Sequence, residues 1–279
     1  MSFTLTAPRS AEAPIIVEVP HAGLTVDAES LSTLVAPAVA IGRDADLYVD
    51  ELYADAPDVG ATLLTANVSR YVCDLNRSEH DVDRDTVLGA TGRSSPHGLI
   101  WRCTTDNRAA IARPLPPSEL ERRLQQYYRP YHDKLEELVR DRLDRYGFVI
   151  LVSGHSMPSR GRDGHTDPGR ERADVVPGTR QRTTAAAAVI DAADEVAQRF
   201  HLGVAHDDPY RGGHTTVRYG RPAAGIHAIQ IELNRRLYMD ELTLAKKPNE
   251  FRIVRSFCRA LVQRLAGLRP VPMARGSER

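Results

Sequence analysis

The amino-acid sequence predicts an α/β domain, and three observations carry that prediction. Short runs rich in β-branched residues, Ile15–Val19, Phe148–Val152 and Ile226–Ile231, have the length and composition of buried strands. Longer stretches between them repeat apolar residues at three- and four-residue steps, the spacing of an amphipathic helix. The 279 residues suit one large domain or two small ones, and the lack of an internal repeat or a clear linker favours one.

The run Phe148–Val152 anchors the chain. It follows Gly147, is too short for a helix, and stops at Ser153-Gly154 to present His155 and Ser156. In open α/β sheets ligands bind beyond the carboxyl ends of the strands, so His155 stands where a catalytic or metal-binding histidine belongs. Taken alone it serves equally well as a turn-capping histidine.

In chain order, Ile15–Val19 is the first strand, ended by Pro20, with His21 immediately beyond it. The segment 27–54 reads as mostly helical and carries Asp44, Asp46 and Asp50, acidic residues that also simply complement a helix dipole. Ala61–Ala66 is a second strand, continued in extended form by Tyr71-Val72-Cys73 and leading to Asp74-Leu75-Asn76-Arg77. An arginine fork held by a neighbouring aspartate makes a carboxylate-binding corner. Residues 78–96 read as a long surface loop. Ser118 and Glu121 have capping-box spacing, and the helix that follows is kinked at Pro130 and closed by Gly147. Residues 160–178, polar and rich in Gly, Asp and Arg, form a candidate active-site loop containing His165. A helix spans 183–200, and Val204-Ala205 begins a short strand leading to His206. The stretch YRGGHTTVRYG (210–220) has the composition of a loop folding over an anion, but lacks P-loop spacing. Ile226–Ile231 ends at Glu232, and Asn249 caps a last helix through about Leu268. The domain core therefore runs over about 14–268, with frayed termini.

Composition narrows the function. Lys plus Arg and Asp plus Glu balance at 37 each, so no global field draws nucleic acid or an anionic membrane. Cys73, Cys103 and Cys258 are widely spaced and form no CxxC pair, which speaks against both a disulfide framework and a cysteine zinc site. With no apolar run of signal-peptide or membrane-span length, the expectation is a soluble cytoplasmic protein. Its ten histidines supply ligands and bases active near neutral pH.

Strand ends at His21, Asp74, His155 and Glu232 bring two imidazoles, two carboxylates and Arg77 to one sheet edge. Two histidines and a carboxylate with one open position form the ligand set of many catalytic zinc hydrolases, and a further carboxylate then moves the proton. A metallohydrolase is the class that the residues favour. They do not choose among the aspartates.

The motifs EVPHAG (18–23), DADLYVDELY (44–53), SRYVCDLNR (69–77), GHSMP (154–158), YRGGHTTVRYG (210–220) and IELNRRLYMDE (231–241) occur in order over roughly 17–241. Together they resemble the N-formylglutamate amidohydrolase family, itself similar to zinc carboxypeptidases and aspartoacylases. The resemblance implies one α/β domain around a mixed, twisted sheet flanked by helices, a phosphorylase/hydrolase-like fold. It implies one Zn2+ held by His21, Asp46 and His155, with Asp44 the nearest competitor to Asp46. The carboxypeptidase HxxE is absent, since Leu24 stands three residues after His21. Asn76 and Arg77 match the DxNR pair that holds the substrate carboxylate, Glu232 the general base and acid, and Arg218 a second anion-binding residue. The implied reaction is zinc-assisted hydrolysis of a small N-acyl amino acid, N-formyl-L-glutamate foremost, at the end of a histidine-degradation route. Another N-acyl amino acid and a non-catalytic dicarboxylate binder are the alternatives.

Overall fold

In the computed structural model, which describes residues 2–269, six strands form one mixed sheet. They are β1 (Phe3–Thr6), β2 (Ile15–Val19), β3 (Thr62–Ala66), β4 (Val149–Met157), β5 (Val175–Gly178) and β6 (Ile226–Asn234), in the spatial order β1-β3-β2-β4-β6-β5. The four central strands are parallel, and the two edge strands run antiparallel to their neighbours. The mixed α/β sheet that the motifs implied is therefore present.

Eight helices surround it: α1 (Ala28–Thr33), α2 (Ala38–Asp44), α3 (Val49–Leu52), α4 (Pro117–Arg123), α5 (Arg129–Tyr146), α6 (Ala187–Arg199), α7 (His214–Tyr219) and α8 (Pro248–Ala266). Helices α3, α6 and α8 cover one face, where Val17, Val19, Ile150, Val152 and Ile229 meet Val189, Phe257 and Leu261. Helix α5 covers the other, laying Tyr131, Leu135 and Val139 over Ile16, Leu64 and Leu151. Burying each such aliphatic side chain is worth about 1.5–3 kcal/mol relative to exposure.

Several boundaries differ from the sequence reading. β4 and β6 do not stop at Val152 and Ile231. They run on together, Val149–Met157 beside Ile226–Asn234, because each completes the other's hydrogen-bond ladder. His155 and Glu232 are thus paired residues inside neighbouring strands rather than groups just past their ends. The described residues ahead of position 14 are not frayed, since Phe3–Thr6 pairs with β3, and Val175–Gly178, read as loop, is the opposite edge strand. The segment 27–54 breaks into three short helices, the first capped by Asp27, which accepts from the Ser30 amide at 3.0 Å. Ser118 forms no capping box: Pro116 occupies the cap of α4 and Pro117 opens it. In place of a simple kink at Pro130, a π-helical turn (Leu124–Tyr128) joins α4 to α5, and Gly147 closes α5 in the left-handed region at φ 73°. Lys247, not Asn249, is the cap of α8, and Val204 makes an isolated bridge to Val175. The 210–220 stretch is partly helical, as α7. Most of the C-terminal tail lies outside the described residues.

Candidate active site

The sheet delivers the site in layers. Below lies a row in register across three central strands, Glu18 on β2, Ser153 on β4 and Gln230 on β6. One step further along the same face come His155 and Glu232. Beyond β2, Pro20 ends the ladder, and the His21 carbonyl accepts the Asp46 amide at 3.0 Å, fixing the α2–α3 connection over the strand end. Gly154 is required here, because a Cβ would stand 2.6 Å from the Tyr53 ring.

Three donor atoms converge. His21 Nδ1 lies 3.2 Å from His155 Nδ1, and Asp46 Oδ2 lies 2.9 Å from His155 Nδ1 and 3.5 Å from His21 Nδ1. All three residues are buried. A tetrahedral ion with ligand bonds of about 2.0–2.2 Å needs donors about 3.3–3.6 Å apart, and this triangle, with sides of 2.9, 3.2 and 3.5 Å, comes within a few tenths of an ångström of that. The outer ring nitrogens are engaged as metal-ligating imidazoles are. His21 Nε2 meets Asp74 Oδ1 at 2.7 Å, and His155 Nε2 meets Ser153 Oγ at 3.0 Å. With the ring protons assigned to Nε2 by these acceptors, both Nδ1 lone pairs face inward.

Asp46 is the aspartate brought to the imidazoles. Asp44 is occupied elsewhere, accepting from Tyr71, from the Thr105 hydroxyl and amide, and from Arg162 at 2.9 Å. Arg235 holds the far oxygen of Asp46 at 3.1 Å while also reaching Ser156 and the Arg43 carbonyl. Without a metal, burial works to raise the Asp46 carboxyl, but hydrogen bonds from His155 and His21, made when their Nδ1 atoms are protonated, outweigh it and hold the pKa well below the usual range. Asp74 is likewise driven low: burial opposes ionisation, but the charge of Arg70 and the hydrogen bond from His21 overcome it. Glu232 goes the other way, raised by burial and by the charge of Asp46. Gln230 Nε2 donates to Glu232 Oε1 at 2.9 Å.

His21, Asp46, His155, Gln230, Glu232 and Arg235 line a cavity of about 300 Å³. Asn76 and Arg77 are on its wall, as are Arg162 and His165 from the polar loop read as an active-site segment. Burial and nearby Arg172 and Arg162 lower the His165 pKa to about 4, so the ring is neutral. The Asn76 amide is engaged, with Oδ1 accepting from the Thr215 amide at 3.0 Å and Nδ2 donating to Gln230 Oε1 at 3.2 Å. Gly213 packs against it so closely that a Cβ would lie 2.3 Å from Asn76 Nδ2. Arg218, expected to bind an anion, is not among the lining residues. It pairs with Glu136 of α5 at 3.0 Å and packs on the Tyr219 ring, because α7 turns Thr215, Thr216 and Tyr219 inward and leaves Arg218 facing α5. Arg211, seven residues earlier, does line the cavity. Of the six lining arginines, Arg43, Arg70, Arg162 and Arg235 each pair with an aspartate. Among the described residues, Arg77 and Arg211 have no carboxylate partner.

Sequence reasoning missed Glu18, Ser153, Gln230 and Arg235. Glu18 and Gln230 had a signal, a polar residue at an alternate position of an otherwise apolar strand. Arg235 had none.

A central sheet that brings two inward-facing imidazoles, a carboxylate between them and a second carboxylate to one cavity has the make-up of a hydrolase site with a candidate metal centre. The comparisons narrow that class. The chain belongs to the N-formylglutamate amidohydrolase family, whose model matches residues 13–239. It is 33% identical over 233 residues to the N-formylglutamate deformylase of Pseudomonas putida, covering 82% of each chain. The crystal structure of the N-formylglutamate amidohydrolase from Ralstonia eutropha JMP134 is similar at a TM-score of 0.87 and 31% identity, covering 95% of this chain and 97% of that one. A gene product of Agrobacterium tumefaciens, 21% identical with a TM-score of 0.68, shares the fold. No helix among the described residues is long and apolar enough to cross a membrane.

Proposed function

We propose that this protein is a zinc-dependent amidohydrolase that converts N-formyl-L-glutamate to formate and L-glutamate. The observation that carries this reading is the convergence of His21 Nδ1, His155 Nδ1 and Asp46 Oδ2 beside Glu232, in a cavity containing two arginines without carboxylate partners. The deformylase relatives supply the substrate.

His21, Asp46 and His155 would hold the metal, and two imidazoles with one carboxylate favour zinc. When bound, the metal makes a water nucleophilic near neutral pH and polarises the formyl carbonyl. The protein's own groups do the rest. Glu232 takes a proton from the attacking water and returns it to the amide nitrogen, so the C–N bond breaks to formic acid and a neutral amine, and the acid's remaining proton then passes to the amine to leave formate and an ammonium group. Its raised pKa brings the carboxyl nearer the operating pH, which suits a group that must both accept and donate. Gln230 holds Oε1, leaving Oε2 to carry the proton. Arg77, carried on the Asp74–Arg77 corner, binds the α-carboxylate, and Arg211 binds the side-chain carboxylate.

The test is glutamate release from N-formyl-L-glutamate by zinc-replete protein, with a chelated sample alongside. Chelator-sensitive release is expected. Silence from folded, metal-loaded protein removes this substrate, and release that survives complete metal removal removes the metal's role.

A further inference from the structure

Glu18 is a fully buried carboxylate on the central strand β2, and among the described residues it has no ion-pair partner. A buried carboxylate is costly unless it is well hydrogen-bonded. Both of its oxygens are taken, Oε2 by the Tyr131 hydroxyl at 2.6 Å and Oε1 by the Ser153 hydroxyl at 2.6 Å. Ser153 Oγ in turn lies 3.0 Å from His155 Nε2. The same nitrogen has a competitor, since Asn76 Nδ2 stands 3.1 Å away.

That competition gives Glu18 a task. If Asn76 donates to His155 Nε2, the ring proton moves to Nδ1, and the nitrogen facing His21 and Asp46 loses the lone pair that a metal needs. If Ser153 Oγ accepts instead, the proton stays on Nε2 and Nδ1 is open. A serine hydroxyl can do either, because it is both donor and acceptor. Glu18 removes the choice: by accepting the Ser153 hydrogen, it leaves only the oxygen's lone pairs to face His155.

We propose that Glu18 is a positioning residue for the metal site, acting through Ser153 to fix His155 in the tautomer whose Nδ1 is free to bind zinc. The inference rests on the metal site proposed above. His21 obtains the same result directly from Asp74. His155, inside a strand, obtains it through a hydroxyl one pleat below. The order of connection is therefore carboxylate, hydroxyl, imidazole, metal.

The test measures zinc affinity of the folded, metal-free full chain by competition with a chromophoric chelator. The variants are Glu18→Gln, Ser153→Ala, their double mutant and Tyr131→Phe. Glu18→Gln keeps the shape but can present an amide N–H to Ser153, returning its hydrogen to His155. Ser153→Ala removes the acceptor. Each is expected to weaken zinc binding about tenfold to a hundredfold, the range for lost support of a ligating histidine. The double mutant is expected to lose little more than either single variant, since both cut one chain. Tyr131→Phe removes the other hydrogen bond to the same carboxylate and should lower the melting temperature while leaving affinity within about twofold. Wild-type affinity in both Glu18→Gln and Ser153→Ala overturns the proposal, as does equal weakening by Tyr131→Phe, which marks a general structural role. If one single variant does not fold, the other and Tyr131→Phe decide by the same comparison. Wild-type protein that binds no zinc overturns the metal reading itself, a result distinct from variants that bind as well as wild type.

Discussion

Replacing Glu232 by glutamine separates proton transfer from everything else the site does. The side chain keeps its length, and an amide oxygen can still accept from Gln230 Nε2, now at 2.9 Å. Asp46, His21 and His155 hold one another without it. What is lost is the group to which the proposed mechanism assigns the proton, a contribution of about 10²–10⁴ in rate, or about 3–5 kcal/mol in the barrier. Stability moves the other way. Burial and the charge of Asp46 raise the Glu232 pKa on folding, so the ionised form at neutral pH opposes folding, and a neutral amide relieves that opposition. The expected variant has kcat reduced by at least a hundredfold, one zinc per chain, and a metal-free melting temperature equal to or above that of wild type. Steady-state glutamate release, metal analysis and thermal unfolding read the three quantities. A kcat within tenfold of wild type in a zinc-loaded variant refutes the assignment. Loss of zinc shows instead that Glu232 helps to hold the metal.

Two further predictions address the substrate and the scaffold. Arg211→Gln should lower kcat/KM for N-formyl-L-glutamate about tenfold to a hundredfold, the worth of one hydrogen bond to a charged group. It should leave N-formyl-L-norvaline, which has no side-chain carboxylate, unchanged, whereas Arg77→Gln should impair both; equal loss on both substrates in Arg211→Gln sinks the role given to it. Asp27 caps α1 and accepts from Tyr127 at 2.8 Å, and although burial opposes ionisation, hydrogen bonds from Ser30 and Tyr127 pull its pKa down to about 2. A carboxyl lowered on folding stabilises the protein above its unfolded pKa and loses that contribution as pH falls toward the folded value. The stability gap between wild type and Asp27→Asn, a substitution that preserves the cap, should therefore narrow between pH 5 and pH 3 in urea titrations, and a gap that stays constant contradicts it.

The parts of this molecule legible in its sequence were those decided by local pattern. The cores of β2, β4 and β6 are dense β-branched runs, and α5 has clean helical spacing ending at Gly147, so neither needed tertiary context. What escaped was set by partners distant in sequence. Phe3–Thr6 and Val175–Gly178 are strands only because a sheet edge is there to receive them. Ser153-Gly154 reads as a strand end, yet β6 alongside supplies a ladder that carries the strand to Met157. The site divides in the same way. His21, Asn76, Arg77, His155 and Glu232 stand in recognisable motifs, and all five line the cavity. Arg218 and Arg211 occupy one motif seven residues apart, and only the packing of α7 against α5 decides which of them is at the cavity.

The parallel order of the central strands has a consequence for how the protein comes into being. Parallel neighbours cannot be joined by a tight hairpin, and His21 and His155, whose rings touch in the finished site, are 134 residues apart. No fragment short of the β4 strand contains both imidazoles, and Glu232 arrives only with β6. The donor triangle thus has no local precursor during synthesis. Contacts of such high sequence separation slow folding, so the metal site proposed above exists only once β2 and β4 have come together, and a nascent or unfolded chain offers scattered single ligands rather than a site.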